Sequence, residues 1–129
     1  MSRAVRRLIA LAGLLLAGLA EAGDIKPYSA ADFDTLTQAG RPVAISVRAS
    51  WCSTCKAQKP IQESLMADPA FKNVTLLVVD FDGDQAVLEK FRVRAQSTLI
   101  VFKGRAEVGR SVGDTSRGGM AALFQKAES

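Results

Sequence analysis

The chain contains no histidine. Without an imidazole there is no Ser-His-Asp triad, no Cys-His nucleophile and no histidine-bound metal. There are only two cysteines, Cys52 and Cys55. Two thiols supply half of what a Cys₄ zinc centre requires, so such a site would have to be shared across a dimer. Nor does a bridge between positions three apart staple a fold usefully, because the entropic benefit grows with the loop it closes. Internal repeats, low-complexity stretches and linkers are also missing, and 129 residues leave room for one domain and no second core. The one long apolar run, Leu8 to Leu19, holds about a dozen residues. A spanning helix needs roughly 20.

That run sits between Arg3, Arg6 and Arg7 on one side and Ala20-Glu21-Ala22 on the other, just before Gly23. A basic start, an apolar middle and a small A-x-A end make up a secretory signal peptide, with cleavage expected after Ala22. A short membrane anchor is the other reading, and Arg6-Arg7 also fits a twin-arginine leader. The expected division is a leader over 1–22 and one globular domain over 23–129, working in the periplasm or another extracytoplasmic space. Without residues 1–22, which hold those three arginines and Glu21, 14 basic and 12 acidic residues remain. That balance makes no case for a nucleic-acid partner, and membrane contact is expected only through the leader.

The domain itself reads as alternating helices and strands. Ser29 to Asp32 forms a helix start, with Phe33 and Leu36 as an apolar pair and Gly40 as the stop. Val43 to Val47 reads as a strand. The pattern after Cys52 is helical to Met66, with Pro60 inside it and a kink expected there. Asp68-Pro69 fits a cap and a first helical position. Val74 to Val79 is an apolar run suited to a strand buried on both faces. A turn at Asp82-Gly83-Asp84, a helix over Gln85 to Phe91 and a strand over Leu99 to Phe102 follow. Gly104 turns the chain into a weaker strand near Val108, and Met120, Leu123, Phe124 and Ala127 line one face of a last helix starting near Ser116. The order is α-β-α-β-α-β-β-α, with a short strand near Ile25 as an addition. Alternation followed by a hairpin implies an α/β fold, a central mixed sheet with helices on both faces.

A strand that runs into Cys52-Ser53-Thr54-Cys55, with the second cysteine already helical, places the first sulfur at a helix N-terminus. Free backbone N–H groups and the positive end of the helix dipole favour a thiolate there. Such a thiolate attacks a disulfide, and a second thiol about one turn away releases the product. Cys52 is thus the expected nucleophile and Cys55 the resolving thiol, with no cofactor and no metal required. The shared zinc site and an inert structural disulfide stay open at this point.

The sequence resembles the thioredoxin superfamily over essentially the whole domain. The resemblance lies in Ala49-Ser50-Trp51-Cys52-Ser53-Thr54-Cys55-Lys56 with Pro60, in Asp80-Phe81-Asp82, in Phe91-Arg92-Val93, in Ser97-Thr98-Leu99-Ile100-Val101-Phe102-Lys103-Gly104, and in Val112-Gly113. Ser64 to Phe71 is also similar to the C-terminal domain of DsbD-type transmembrane disulfide reductases. The resemblance implies the thioredoxin fold and dithiol–disulfide exchange with protein substrates. It also implies that Trp51 belongs to the contact surface around the sulfurs and that the loop Gln96-Ser97-Thr98 pairs with the substrate backbone.

Three positions depart from the family's pattern. Ser97 stands where thioredoxins carry a cis-proline. A cis bond before a non-proline residue costs about 2.5–4 kcal/mol, so a trans Gln96–Ser97 bond and a reshaped loop are expected, with the Ser97 hydroxyl free to bond the Cys52 sulfur. Ser46 replaces a buried aspartate that moves the resolving thiol's proton, and Val78 replaces the lysine beside it. A neutral site with slower resolution is the expectation. Arg48 and Lys56, with Lys59, flank the motif and favour a thiolate as cations do, whereas Ser53 and Thr54 add no charge. Arg92 and Arg94 precede the Ser97 loop and offer a surface for acidic partner segments. The uncharged Ser53-Thr54 pair argues against an oxidant of the DsbA kind near −120 mV and for a reductase nearer thioredoxin's value of about −270 mV. Nothing in the chain binds NADPH or flavin, so a membrane reductase is the expected electron donor. A module that holds a partner or a metal through its thiols, without turnover, is the alternative.

Overall fold

A computed structural model describes residues 21–129. The leader expected over 1–22 therefore lies almost entirely outside the described residues. From Gly23 onward the chain is tied to the body, because the Gly23 N–H donates to the Met66 carbonyl at 2.8 Å and the Asp24 N–H to that of Val74 at 3.1 Å. A Cβ at Gly23 would lie 2.7 Å from the Phe71 carbonyl oxygen and 2.8 Å from that of Val74. Both are backbone atoms that cannot swing aside. We expect Gly23→Val to lower stability by about 1–3 kcal/mol through overpacking, measured as the urea midpoint, with an unchanged midpoint refuting the close approach.

The chain then forms β1 (Asp24–Pro27), α1 (Ala30–Gln38), β2 (Pro42–Arg48), α2 (Ser53–Ala67), a 3₁₀ turn (Pro69–Phe71), β3 (Thr75–Asp80), α3 (Gln85–Lys90), β4 (Thr98–Lys103), β5 (Ala106–Val112) and α4 (Arg117–Glu128). The sheet order is β1-β3-β2-β4-β5. β1, β3 and β2 run parallel, and β4 and β5 join antiparallel. This is the mixed sheet expected from the alternation of elements. The short strand near Ile25 is β1, whose four residues pair only with β3. β3 lies between β1 and β2, which accounts for its unbroken apolar run, while the middle of the sheet belongs to β2.

Side chains alternate across β2 and build two cores. Val43, Ile45 and Val47 face Phe33 of α1 and Leu88 of α3. Ala44 faces Leu65 and Met66 of α2 and Met120, Leu123 and Phe124 of α4. Full burial of a side chain such as Ile45 or Phe124 contributes about 1.5–3 kcal/mol, so the two layers hold the sheet flat against the helices that carry the chemistry. The helix starts are where the cap residues put them. Ser29 Oγ accepts the Asp32 N–H at 3.0 Å, Ser116 Oγ accepts the Gly119 N–H at 3.1 Å, and Asp68 Oδ1 accepts the Ala70 N–H at 2.9 Å. Gly104 makes the β4–β5 hairpin with φ +57, a backbone that glycine adopts without steric cost. α2 remains one element across Pro60. No helix among the described residues is long and apolar enough to cross a membrane.

Candidate active site

β2 ends at Arg48, and α2 begins only five residues later. The short connection, residues 49–52, presents Cys52 as the N-cap of α2. Its φ of −85 and ψ of 109 are extended, and its sulfur accepts the Cys55 N–H at 3.0 Å. A sulfur in the cap position thus takes one of the helix's unpaired N–H donors, the environment that stabilises a thiolate. Cys55, one turn into α2, is joined to Cys52 as a disulfide with a Cα–Cα separation of 5.2 Å. The pair is nearly enclosed, at 2% and 4% exposure, and the Cys55 sulfur lies 3.9 Å from the Val47 carbonyl oxygen. Ser53 is exposed and Thr54 half-buried beside it.

Two large apolar side chains of the domain are exposed. Trp51 is 58% exposed and Val112 59%. The Trp51 indole is held upright by its N–H, which donates to Asp82 Oδ2 at 2.8 Å, and by an edge contact with Phe81 at 6.4 Å between centroids. Val112 pairs with Thr98 in the sheet, and the adjacent Gly113 N–H donates to the Ser97 carbonyl at 3.0 Å. Trp51 thus stands next to Cys52 in the chain, Val112 is joined to the Ser97 loop, and the disulfide itself is covered.

The Ser97 loop has a conformation of its own. No cis peptide bond occurs among the described residues, and Ser97 sits at φ +59. The Ser97 N–H, which a proline would lack, donates to the Val47 carbonyl at 2.9 Å. Its hydroxyl donates to the Gln96 carbonyl and not to the Cys52 sulfur, so the bond expected from the sequence is not the one formed. The reason is geometric: at positive φ the hydroxyl bends back along its own backbone. Thr98 is buried with its hydroxyl on the Ala95 carbonyl at 2.7 Å. Of the three loop residues, Gln96 alone is half exposed.

The sites of the missing aspartate and lysine hold a different solution. Ser46 is fully buried in β2, and Val78 pairs with it from β3 as a half-buried neutral residue. The site is nonetheless not neutral, which corrects the expectation from sequence. Arg48 turns inward, its Nη2 donating to Gln62 Oε1 at 2.7 Å and its Nε to Ser46 Oγ at 3.3 Å, while Ser46 Oγ donates to Gln62 Oε1 at 3.1 Å. Burial pulls the guanidinium below its ordinary pKa, and Glu63 pulls it the other way. Alternation puts Arg48 on the same face of β2 as Ser46, and its length lets it reach on to Gln62 of α2.

Two further glutamines escaped the sequence reading. Gln58 and Gln62 are both buried on α2. Gln58 Nε2 donates to the carbonyls of Ser97 at 3.2 Å and Asp114 at 2.9 Å. It fastens the loop after β5 and the Ser97 loop to the helix that bears the cysteines. A signal was present, since Cys55, Gln58, Gln62, Leu65 and Met66 fall on one helical stripe. Lys56 stays exposed, as do Arg92 and Arg94.

The thioredoxin family model matches residues 24–126. The chain belongs to the thioredoxin family. It is similar to thioredoxin from Chlamydia trachomatis, at 38% identity over 84 residues that cover 65% of this chain and 80% of the relative. It is similar also to thioredoxin from Staphylococcus aureus, at 33% over 96 residues, 74% of this chain and 90% of the relative. The crystal structure of Trxlp from Edwardsiella tarda superposes with a TM-score of 0.76 at 39% identity, covering 78% of this chain and 98% of that one. With the disulfide at the start of α2, this thioredoxin-family chain is a thiol–disulfide oxidoreductase.

Proposed function

We propose that the protein is an exported reductase of protein disulfides, with Cys52 as the attacking sulfur and Cys55 as the resolving one. The observation that carries this is the Cys52 sulfur in the cap position of α2, receiving the Cys55 N–H at 3.0 Å beside the exposed Trp51. In the reduced protein the Cys52 thiolate attacks a substrate disulfide and the helix N–H holds its charge. The apolar rim of Trp51 and Val112 recognises an extended, apolar stretch beside the substrate's cysteine, and Gln96 is the loop residue left free to meet its backbone. Cys55 then closes the internal disulfide and releases the product.

The reductase direction is supported by the absence of charge at Ser53 and Thr54 between the sulfurs. Export is supported by the leader pattern of residues 1–22. A membrane reductase supplies the electrons in this reading, passing them by the same thiol exchange. Equilibration against glutathione should place the couple below about −200 mV, with catalytic precipitation of insulin in the presence of dithiothreitol. A potential near −120 mV overturns the direction. Capture of substrate without turnover, or a metal retained through purification, favours a binding module instead. N-terminal sequencing of protein from the extracytoplasmic fraction should begin at Gly23.

A further inference from the structure

A cleft of about 690 Å³ opens beside the resolving cysteine, not beside the attacking one. Cys55 and Arg48 both line it, with Val78 and Val79 as its apolar wall. The size is that of a small-molecule pocket, and its lining includes a cation whose hydrogen bonds go to neutral partners. Arg48 donates to Ser46 and Gln62, and among the described residues no carboxylate lies within salt-bridge distance of it.

The other charged groups lining the cleft are Lys56, Lys59, Asp80, Asp82 and Asp84. Lys59 on α2 pairs with Glu63 at 4.0 Å, and Lys56 beside it points to solvent. From β3 and the turn after it, Asp80 Oδ1 accepts the Asp82 N–H, Asp84 Oδ2 accepts the Asp80 N–H, and Asp82 Oδ2 accepts the Trp51 indole. Tyr28 accepts from Lys90 at 3.5 Å. Arg48 and Asp84 are the half-buried charged residues of the lining, and Arg48 directly follows Val47, whose carbonyl oxygen lies 3.9 Å from the Cys55 sulfur.

The same network holds no base. Ser46 Oγ gives its hydrogen to Gln62 Oε1 and receives one from Arg48, and an arginine is not deprotonated in proteins. We infer that Arg48, fixed by Gln62 and Ser46, is a positioning residue for the second half of the exchange: its charge stabilises the Cys55 thiolate, and water in the cleft takes the proton. In that half, a substrate sulfur is bonded to Cys52. Cys55 gives its proton to water and its thiolate attacks the Cys52 sulfur. The Cys52–Cys55 bond forms, the bond from Cys52 to the substrate breaks, and the substrate sulfur leaves with the electron pair as a thiolate. The protein dithiol has then lost two electrons and the substrate disulfide has gained them.

The inference rests on the exchange reading above, and the two fail separately. In a Cys52→Ser background Cys55 is the only thiol, and its rate of alkylation by iodoacetamide against pH reports its ionisation directly. Arg48→Met and Arg48→Gln should each raise the midpoint by about one pH unit, the scale set by a neighbouring opposite charge. The rate below the midpoint then falls about tenfold. Arg48→Lys, which keeps the charge, should stay within about a third of that shift. A purely structural arginine predicts the reverse grouping, with Gln near wild type because it keeps a hydrogen bond. Should Arg48→Met fail to fold by circular dichroism, the Gln and Lys variants decide. Equal midpoints in the wild type, Gln and Lys proteins overturn the role of Arg48 and leave the exchange chemistry standing, whereas a wild-type disulfide inert towards insulin and dithiothreitol removes the exchange reading without touching the Cys55 midpoint.

Discussion

A Cys55→Ser variant should reduce one substrate disulfide halfway and stop, leaving a mixed disulfide between Cys52 and the substrate. The resolving thiol is tethered one turn from the sulfur it attacks, with Cα atoms 5.2 Å apart. Intramolecular attack from a positioned group has an effective concentration of roughly 10⁵ M or more. A free thiol at millimolar concentration cannot match that, so turnover in the insulin assay should fall by at least about 10³-fold. Cys52→Ser should give the same loss without any adduct, because a serine hydroxyl in the cap position is not ionised and does not attack a disulfide. Mass spectrometry of acid-quenched mixtures separates the two. An adduct in Cys52→Ser but not in Cys55→Ser reverses the assignment of roles.

The place of Cys52 at the start of α2 was legible in the sequence, and the reason is local. The N-cap position of a helix is set by a few residues around it, and a strand running straight into Cys-x-x-Cys leaves the first cysteine at the cap. Ser29 and Ser116 were legible in the same way, as short hydroxyl side chains just before apolar periodicity. The apolar run of β3 announced an interior strand for a similar reason, since both faces of each residue had to be covered.

What the sequence concealed depends on distant partners. Arg48 reads as a cation beside the motif, yet it is bonded to a glutamine 14 positions away. Nothing in β2 says whether a long side chain at the strand's end turns out to water or back under the sheet. The choice is made by Gln62 and Ser46, which offer the guanidinium two oxygens as partners. β1 was legible only as an addition because four residues carry no period. Its strand state comes from the open edge of β3. The left-handed Ser97 was hidden for another reason. No glycine or asparagine marks the position, and its backbone is held by bonds to Val47, Gly113 and Gln58 that close only in the folded chain.

Those bonds make Ser97 the position where restoring the family's residue should do the most damage. Proline fixes φ near −65 and carries no N–H. Ser97 has φ +59, and its N–H donates to the Val47 carbonyl at 2.9 Å. Ser97→Pro must therefore either break that bond and reverse the backbone or abandon the whole turn, at a cost of about 3 kcal/mol or more. Abandoning the turn also frees the Ser97 carbonyl from Gly113 and Gln58, which loosens the join between this loop, the end of β5 and α2. Ser97→Gly tests the same geometry from the other side. A left-handed residue with a Cβ costs about 1–2 kcal/mol, and glycine returns roughly 0.5–1 of that as lost chain entropy in the unfolded comparison. A net gain of about 0.5–1 kcal/mol is expected. Urea unfolding of the three proteins in their oxidised form gives the order Gly, Ser, Pro from most to least stable. A proline variant as stable as the parent would mean that the loop reaches φ −65 at no cost, and that the bonds to Val47, Gly113 and Gln58 do not hold it.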